Sequence, residues 1–205
     1  MLSRLGTLFS NPLQILYILP AVLIGMTVHE WAHAYMAYRL GDPTARNLGR
    51  MTLNPLNHID IFGFLCLLIA GFGWAKPVPI NPRNFKNFKR DEILVSIAGI
   101  TMNLVVALVF TFLFYIGILK LNLWSNEAFI SIFLGIVTIN LSLAVFNLLP
   151  LYPLDGSHIF EALLGRRFPR AVMFMRQYGQ YILIVLLITG AVGSLLSYLV
   201  NGLLN

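Results

Sequence analysis

The chain has 205 residues, of which 58% are hydrophobic and only 11% charged, with a mean hydropathy of +0.79. Soluble domains carry about 25% charged residues, so this composition excludes an ordinary soluble domain and indicates an integral membrane protein. The net charge of +6 does not indicate a nucleic-acid partner, because the basic residues lie in short loops between apolar runs.

Residues 1–205 are expected to form a single membrane-embedded domain with all-α architecture. Near the N-terminus, Arg4 and the apolar stretch from Leu13 to Ile24 imitate a signal peptide. The stretch is read as uncleaved, because the same helix runs on into a metal motif. That first run, 13–39, is long enough to span a bilayer, as are 93–119, 128–149 and 178–200. About four transmembrane helices follow from these runs. Gly41-Asp42-Pro43 stops the first.

His29-Glu30-Trp31-Ala32-His33 lies within the first run. The spacing sets two histidines one helical turn apart on one face, where both imidazoles can hold one metal ion. Glu30 is then placed to act on the attacking water. Two His and a Glu at membrane depth are costly, and such residues are usually functional.

Segment 44–58 carries Arg46, Asn47, Arg50, Asn54 and Asn57 and is too polar to span. Leu48 to Leu53 is expected to form a short hairpin or strand beside the site. The next apolar run, 59–74, is short and contains Gly63, Gly71, Gly73 and the lone Cys66. A single cysteine excludes an intramolecular disulfide, and Cys66 is read as a small hydrophobe. Three prolines within Lys76-Pro77-Val78-Pro79-Ile80-Asn81-Pro82 require an extended loop there.

Whether 59–74 crosses decides the topology. If it crosses, ten of the fourteen Lys and Arg share a side. If it dips in and returns, twelve share a side and only Arg4 and Lys120 face the other. The second arrangement satisfies the positive-inside tendency better, so a re-entrant 59–74 is expected.

A catalytic zinc usually takes three protein ligands and one open position, so two histidines leave one ligand to find. Asp42, His58, Asp60 and Asp155 are candidates, with His158 a rival nearby. Asp155 lies in Asn147-Leu-Leu-Pro150-Leu-Tyr-Pro153-Leu-Asp155-Gly156, where Pro150, Pro153 and Gly156 end the 128–149 helix. His33 and Asp155 emerge on the same face only if 59–74 does not cross. Otherwise a core of about 30 Å separates them. Charge count and metal site therefore favour one topology.

Taken jointly, these motifs resemble the site-2 protease family of intramembrane zinc metalloproteases. The resemblance rests on HExxH in a first membrane helix, on Asn147-x-x-Pro150-x-x-Pro153-Leu154-Asp155-Gly156, and on Ser96-x-Ala98-Gly99-x-x-x-Asn103. Gly49-Arg50-x-Thr52-Leu53-Asn54-Pro55-Leu56-Asn57-His58-Ile59-Asp60 and Gly73-Trp74-Ala75-Lys76-Pro77-Val78-Pro79 look like its compact bacterial and archaeal branch. The resemblance runs from about residue 15 to 160. Family members often carry a PDZ or CBS module, and neither is visible here. One departure is Ile100, where the family often has Pro.

The resemblance implies His29, His33 and Asp155 as ligands of one Zn2+ and Glu30 as catalytic acid/base. It implies Asn147 near the scissile peptide or its oxyanion. From the residues alone, Asn147 could equally be a helix-end cap, and Asn103 could bind substrate or tie two helices together. The implied activity is hydrolysis of peptide bonds in transmembrane segments of single-span proteins, in the lipid bilayer of the cell membrane, with the site toward the cytoplasm. The rival readings are a membrane metal or ion transporter and an inactive scaffold of the same fold.

Overall fold

The computed structural model describes residues 12–70 and 73–204. Arg4 and Gly71, both used in the reading of topology, lie outside the described residues, as does most of the signal-like N-terminus before the first helix.

Eight α-helices are described: α1 Pro12–Arg39, α2 Thr44–Asn47, α3 Ile61–Ala70, α4 Phe88–Leu121, α5 Glu127–Asn147, α6 Asp155–Leu164, α7 Pro169–Ile188 and α8 Ala191–Leu204. Three of them, α4, α5 and α7, are long and apolar enough to cross a membrane, their most apolar 18-residue stretches having mean hydropathies of 2.5, 2.3 and 1.5. The protein is a helical membrane protein. α1, α4 and α5 pack mutually, α6 packs on α4, and α8 packs on α5 and α7.

The packing is inverted relative to a soluble core. Ala21, Ala32, Ala34, Ala37, Ala107 and Ala144 are buried between helices, whereas Leu108, Phe112, Leu119 and Tyr198 face outward. Small residues let helices approach closely where lipid tails offer no hydrophobic drive for their association. Ile100, at the position of the expected proline, is buried within α4.

The structure corrects two expectations. The run 178–200 is not one helix. α7 begins earlier, at Pro169, and ends at Ile188, and Gly190 turns the chain at φ +77° into α8. Apolar composition continues through that turn, so hydropathy alone could not show it. Nor does 44–58 form a hairpin. It holds the single turn α2, a left-handed turn at Gly49 (φ +67°) and a 3-10 turn at Pro55–Asn57. Local bonds consume the backbone groups a hairpin would need. Arg50 N donates to Ala45 O, Asn54 Oδ1 accepts from Leu56 N, and Asn57 Nδ2 donates to Gly49 O.

Segment 59–74 has both ends in one place. Ile59 and Ala75 form an isolated antiparallel bridge, and Lys76 N donates to His58 O at 2.8 Å. α3 has ten residues, about 15 Å of helix, half of a bilayer core. Gly63 and Gly73 let the returning chain lie directly on α3, since a Cβ at either would strike the backbone opposite. Asp60 Oδ1 caps α3 by accepting from Gly63 N.

Candidate metal centre

α1 carries His29 and His33 toward its C-terminal end, and both are buried. His33 Nδ1 lies 2.8 Å from the Val95 carbonyl oxygen of α4, and His29 Nδ1 lies 2.7 Å from Asn103 Oδ1 of α4. A carbonyl only accepts, so His33 Nδ1 carries its proton. Asn103 Nδ2 is committed as donor to Gly25 O and Asn140 Oδ1, which leaves Oδ1 to accept from His29. Both imidazoles, when neutral, therefore turn an Nε2 lone pair inward.

These two nitrogens lie 2.9 Å apart. Asp155 Oδ2 lies 3.3 Å from each. Asp155 opens α6, which packs on α4, and its Oδ2 is buried without a hydrogen-bond partner. Three inward lone pairs this close repel one another unless a cation sits among them. Zinc ligands about 2.0–2.2 Å from a tetrahedral ion are about 3.3–3.6 Å apart, so the Asp155 distances match, the two histidine nitrogens need part by only about 0.4 Å, and the donor set is one that zinc accepts. The residues fit the metal. Among the described residues this is the one His/Asp group so arranged.

Gly99 of α4 makes room for the pair. A Cβ there would stand 2.6 Å from His29 Cε1 and 2.6 Å from His33 Nε2. That is a physical reason for the Ala98-Gly99 motif, four residues before Asn103.

Glu30 is half-buried, and its Oε2 accepts from the Val78 N–H at 2.8 Å. Asn147, at the end of α5, donates from Nδ2 to Leu143 O at 3.0 Å, one turn back. Its Oδ1 makes no hydrogen bond among the described residues.

Asn103 lies behind His29 on α4. It is fully buried, and its amide is spent on His29, Gly25 and Asn140. It ties α1, α4 and α5 together and orients a histidine, as residues behind metal ligands commonly do. Asn140, itself fully buried, completes the chain by donating to Ile136 O. Sequence reasoning passed over Asn140; its signal was a lone amide in the apolar α5.

The other third-ligand candidates have separate tasks. Asp42 accepts from Thr44 N, Asn81 N and Asn84 Nδ2. Burial opposes its charge, but the Thr44 hydroxyl and these N–H groups hold its carboxyl below the usual range. His58 Nε2 lies 2.8 Å from Thr52 O, Asp60 caps α3, and His158 pairs with Glu92 at 3.2 Å.

Comparison with known proteins points to the same class of chemistry. The model of "Peptidase family M50" matches residues 115–190, a stretch that contains Asp155. The chain is 42% identical over 179 residues to "Putative zinc metalloprotease YwhC" of Bacillus subtilis (strain 168), covering 84% of this chain and 80% of that protein. It is 32% identical over 181 residues to "Putative zinc metalloprotease Rip2" of Mycolicibacterium smegmatis, with 82% and 65% covered. "Zinc metalloprotease MJ0392" of Methanocaldococcus jannaschii is 22% identical over 178 residues, 86% of this chain and 42% of that one. No solved structure matches.

The chain belongs to peptidase family M50, the site-2 protease family. It is a zinc metalloprotease, and the His29, His33 and Asp155 groups stand close enough to bind a metal ion.

Proposed function

We propose that residues 1–205 act as one membrane-embedded catalytic unit that hydrolyses peptide bonds within transmembrane segments of other membrane proteins. The observation that carries this reading is the convergence of three lone pairs at a buried point between apolar helices. α1, 28 residues and about 42 Å long, serves as a fourth span beside α4, α5 and α7.

His29, His33 and Asp155 would hold one zinc ion, which when bound would supply Lewis acidity at this point. Glu30 takes a proton from the attacking water and delivers it to the leaving amine. Asn103 and the Val95 carbonyl keep both imidazoles in the tautomer that binds metal. Asn147, at the foot of α5, offers its amide to the substrate backbone or the developing oxyanion. That role requires the Leu143 bond to open or be shared.

The site lies near one end of the spans. His33 is six residues, about 9 Å, from the end of α1 at Arg39, and Asp155 follows the end of α5. Loops 39–58 and 75–92 share that end and hold eight of the basic residues, a bias that supports assigning it to the cytoplasmic face of the cell membrane. Partners are then single-span membrane proteins presented within the bilayer. Reconstituted enzyme tests this. Cleavage of a single-span model substrate is lost on zinc chelation and in Glu30→Gln that still binds zinc. Full turnover in that variant overturns the reading, and zinc flux without cleavage indicates a transporter.

A further inference from the structure

Glu30 is held by the loop 73–82. Its Oε2 accepts the Val78 N–H at 2.8 Å, while Oε1 makes no hydrogen bond among the described residues. Ala34 lies one turn along α1 from Glu30, on the same face. The Val78 side chain packs in the cluster of Ala34 and Ala45, with Met51 and Ile80 against it. Val78 thus grips α1 twice, by its side chain on Ala34 and by its amide on Glu30.

The flanking residues make that amide the single donor available. Pro77 and Pro79 have no N–H, so within 77–79 only Val78 can donate, and it donates to Glu30. The other edge of the loop is also fixed. Arg50 Nη2 donates to Lys76 O at 2.8 Å and Pro77 O at 3.3 Å, and Lys76 N donates to His58 O. Arg50 is itself anchored, its backbone N donating to Ala45 O at 2.8 Å. With these groups spent, 76–78 has little left to offer a substrate strand.

We propose that Arg50 and Val78 are positioning residues for Glu30. Arg50 clamps the two carbonyls that precede Val78, and the clamped peptide aims its N–H at Oε2. With Oε2 held, Oε1 is the oxygen presented to the attacking water. A backbone amide suits this task, because it neither titrates nor competes for the proton that Glu30 carries. The proposal rests on the reading of Glu30 as proton carrier.

The test uses the full chain in phosphatidylcholine–phosphatidylglycerol vesicles with a single-span model substrate. Arg50→Ala should keep its zinc and its KM and lose about 10–100-fold in kcat, the scale of a displacement of about 1 Å. Arg50→Lys, which can still donate to one carbonyl, should recover part of that loss. Added to Glu30→Gln, Arg50→Ala should lower the residual rate by less than about twofold, because its effect runs through Glu30.

Site-resolved hydrogen exchange of the Val78 amide supplies a reading that needs no activity. Exchange should be about tenfold faster in both Arg50→Ala and Glu30→Ala, as one hydrogen bond's worth of protection is lost. Unchanged kcat and unchanged exchange in Arg50→Ala overturn the proposal. So does an equal loss in the Glu30→Gln background, which marks Arg50 as merely structural. A rise in kcat overturns it too, because the loop then obstructs the site. If Arg50→Ala loses its fold and zinc, Arg50→Lys and the exchange in Glu30→Ala decide. Full turnover in Glu30→Gln with faster Val78 exchange in Glu30→Ala would remove Glu30 from catalysis and leave the contact standing.

Discussion

Ile59 and Ala75 are paired across an antiparallel bridge, so the apolar run between them leaves and returns at one place. Loops 39–58 and 75–92 are further joined by Asn84 Nδ2 donating to Asp42 Oδ1 at 2.6 Å. Both loops should therefore be on the same side of a membrane. Single cysteines at Asn47 and Lys86, both exposed, in a chain with Cys66 replaced, should be labelled from the same side. Labelling from opposite sides would remove the shared face on which His33 and Asp155 meet.

The lone-pair geometry directs all three residues at one point. His29→Ala, His33→Ala or Asp155→Ala should each abolish stoichiometric zinc, read by metal analysis of purified protein. Asn103→Ala leaves the ligands in place but frees the His29 ring, and should weaken zinc by about 10–100-fold. Gly99→Ala should cost at least as much, because the new methyl meets both imidazoles at 2.6 Å. Wild-type zinc affinity in Gly99→Ala would show that the rings sit elsewhere.

Glu30→Gln should keep zinc and lose about 10²–10⁴-fold in turnover, the usual contribution of a general acid–base residue. The amide can still accept from Val78 through its oxygen, so the loop should stay docked. Circular dichroism and zinc content serve as controls for the fold.

Half of this site was legible in the sequence. His29, Glu30 and His33 are a local pattern on one helix, and their apolar setting marks them as costly. Asp155 required topology, because nothing near it in the chain announces a partner. The contact of Val78 with Glu30 was illegible, since a backbone amide bears no side-chain signature. The expected hairpin at 48–53 failed because Asn54, Asn57 and Gly49 commit the backbone to local turns. Hydropathy gave α4 and α5 closely but ran through Gly190, where only the φ angle marks the break.

Asp42 should matter to stability and not to chemistry. Its carboxylate joins the end of α1 to Asn81 and Asn84, and Asp42→Ala should cost about 1–3 kcal/mol. Because its folded carboxyl is held below the usual range, the contribution is present above the ordinary carboxylate pKa. It is lost as pH falls through the lowered value. Thermal denaturation in detergent against pH should show wild type and Asp42→Asn converging at the acid end, and parallel curves would contradict this.

The last expectation concerns the substrate. A peptide bond in a membrane helix is already hydrogen-bonded and shielded, so the helix must open locally before its carbonyl can be attacked. Opening is easier near the end of a span, where water is near, and His33 lies about 9 Å from the end of α1 at Arg39. A Gly in the turn to be opened lowers helix stability by about 1 kcal/mol, and a Pro by about 3 kcal/mol, relative to Ala. Two such glycines should therefore speed cleavage by about tenfold or more if unwinding limits the rate. Paired model substrates that differ only by Leu-to-Gly changes around the cut provide the comparison, with cut positions read by mass spectrometry. Equal rates for stiff and weakened helices would show that unwinding is not limiting. Cuts at the outer end of the span would place the site at the wrong face and contradict the topology drawn from Ile59 and Ala75.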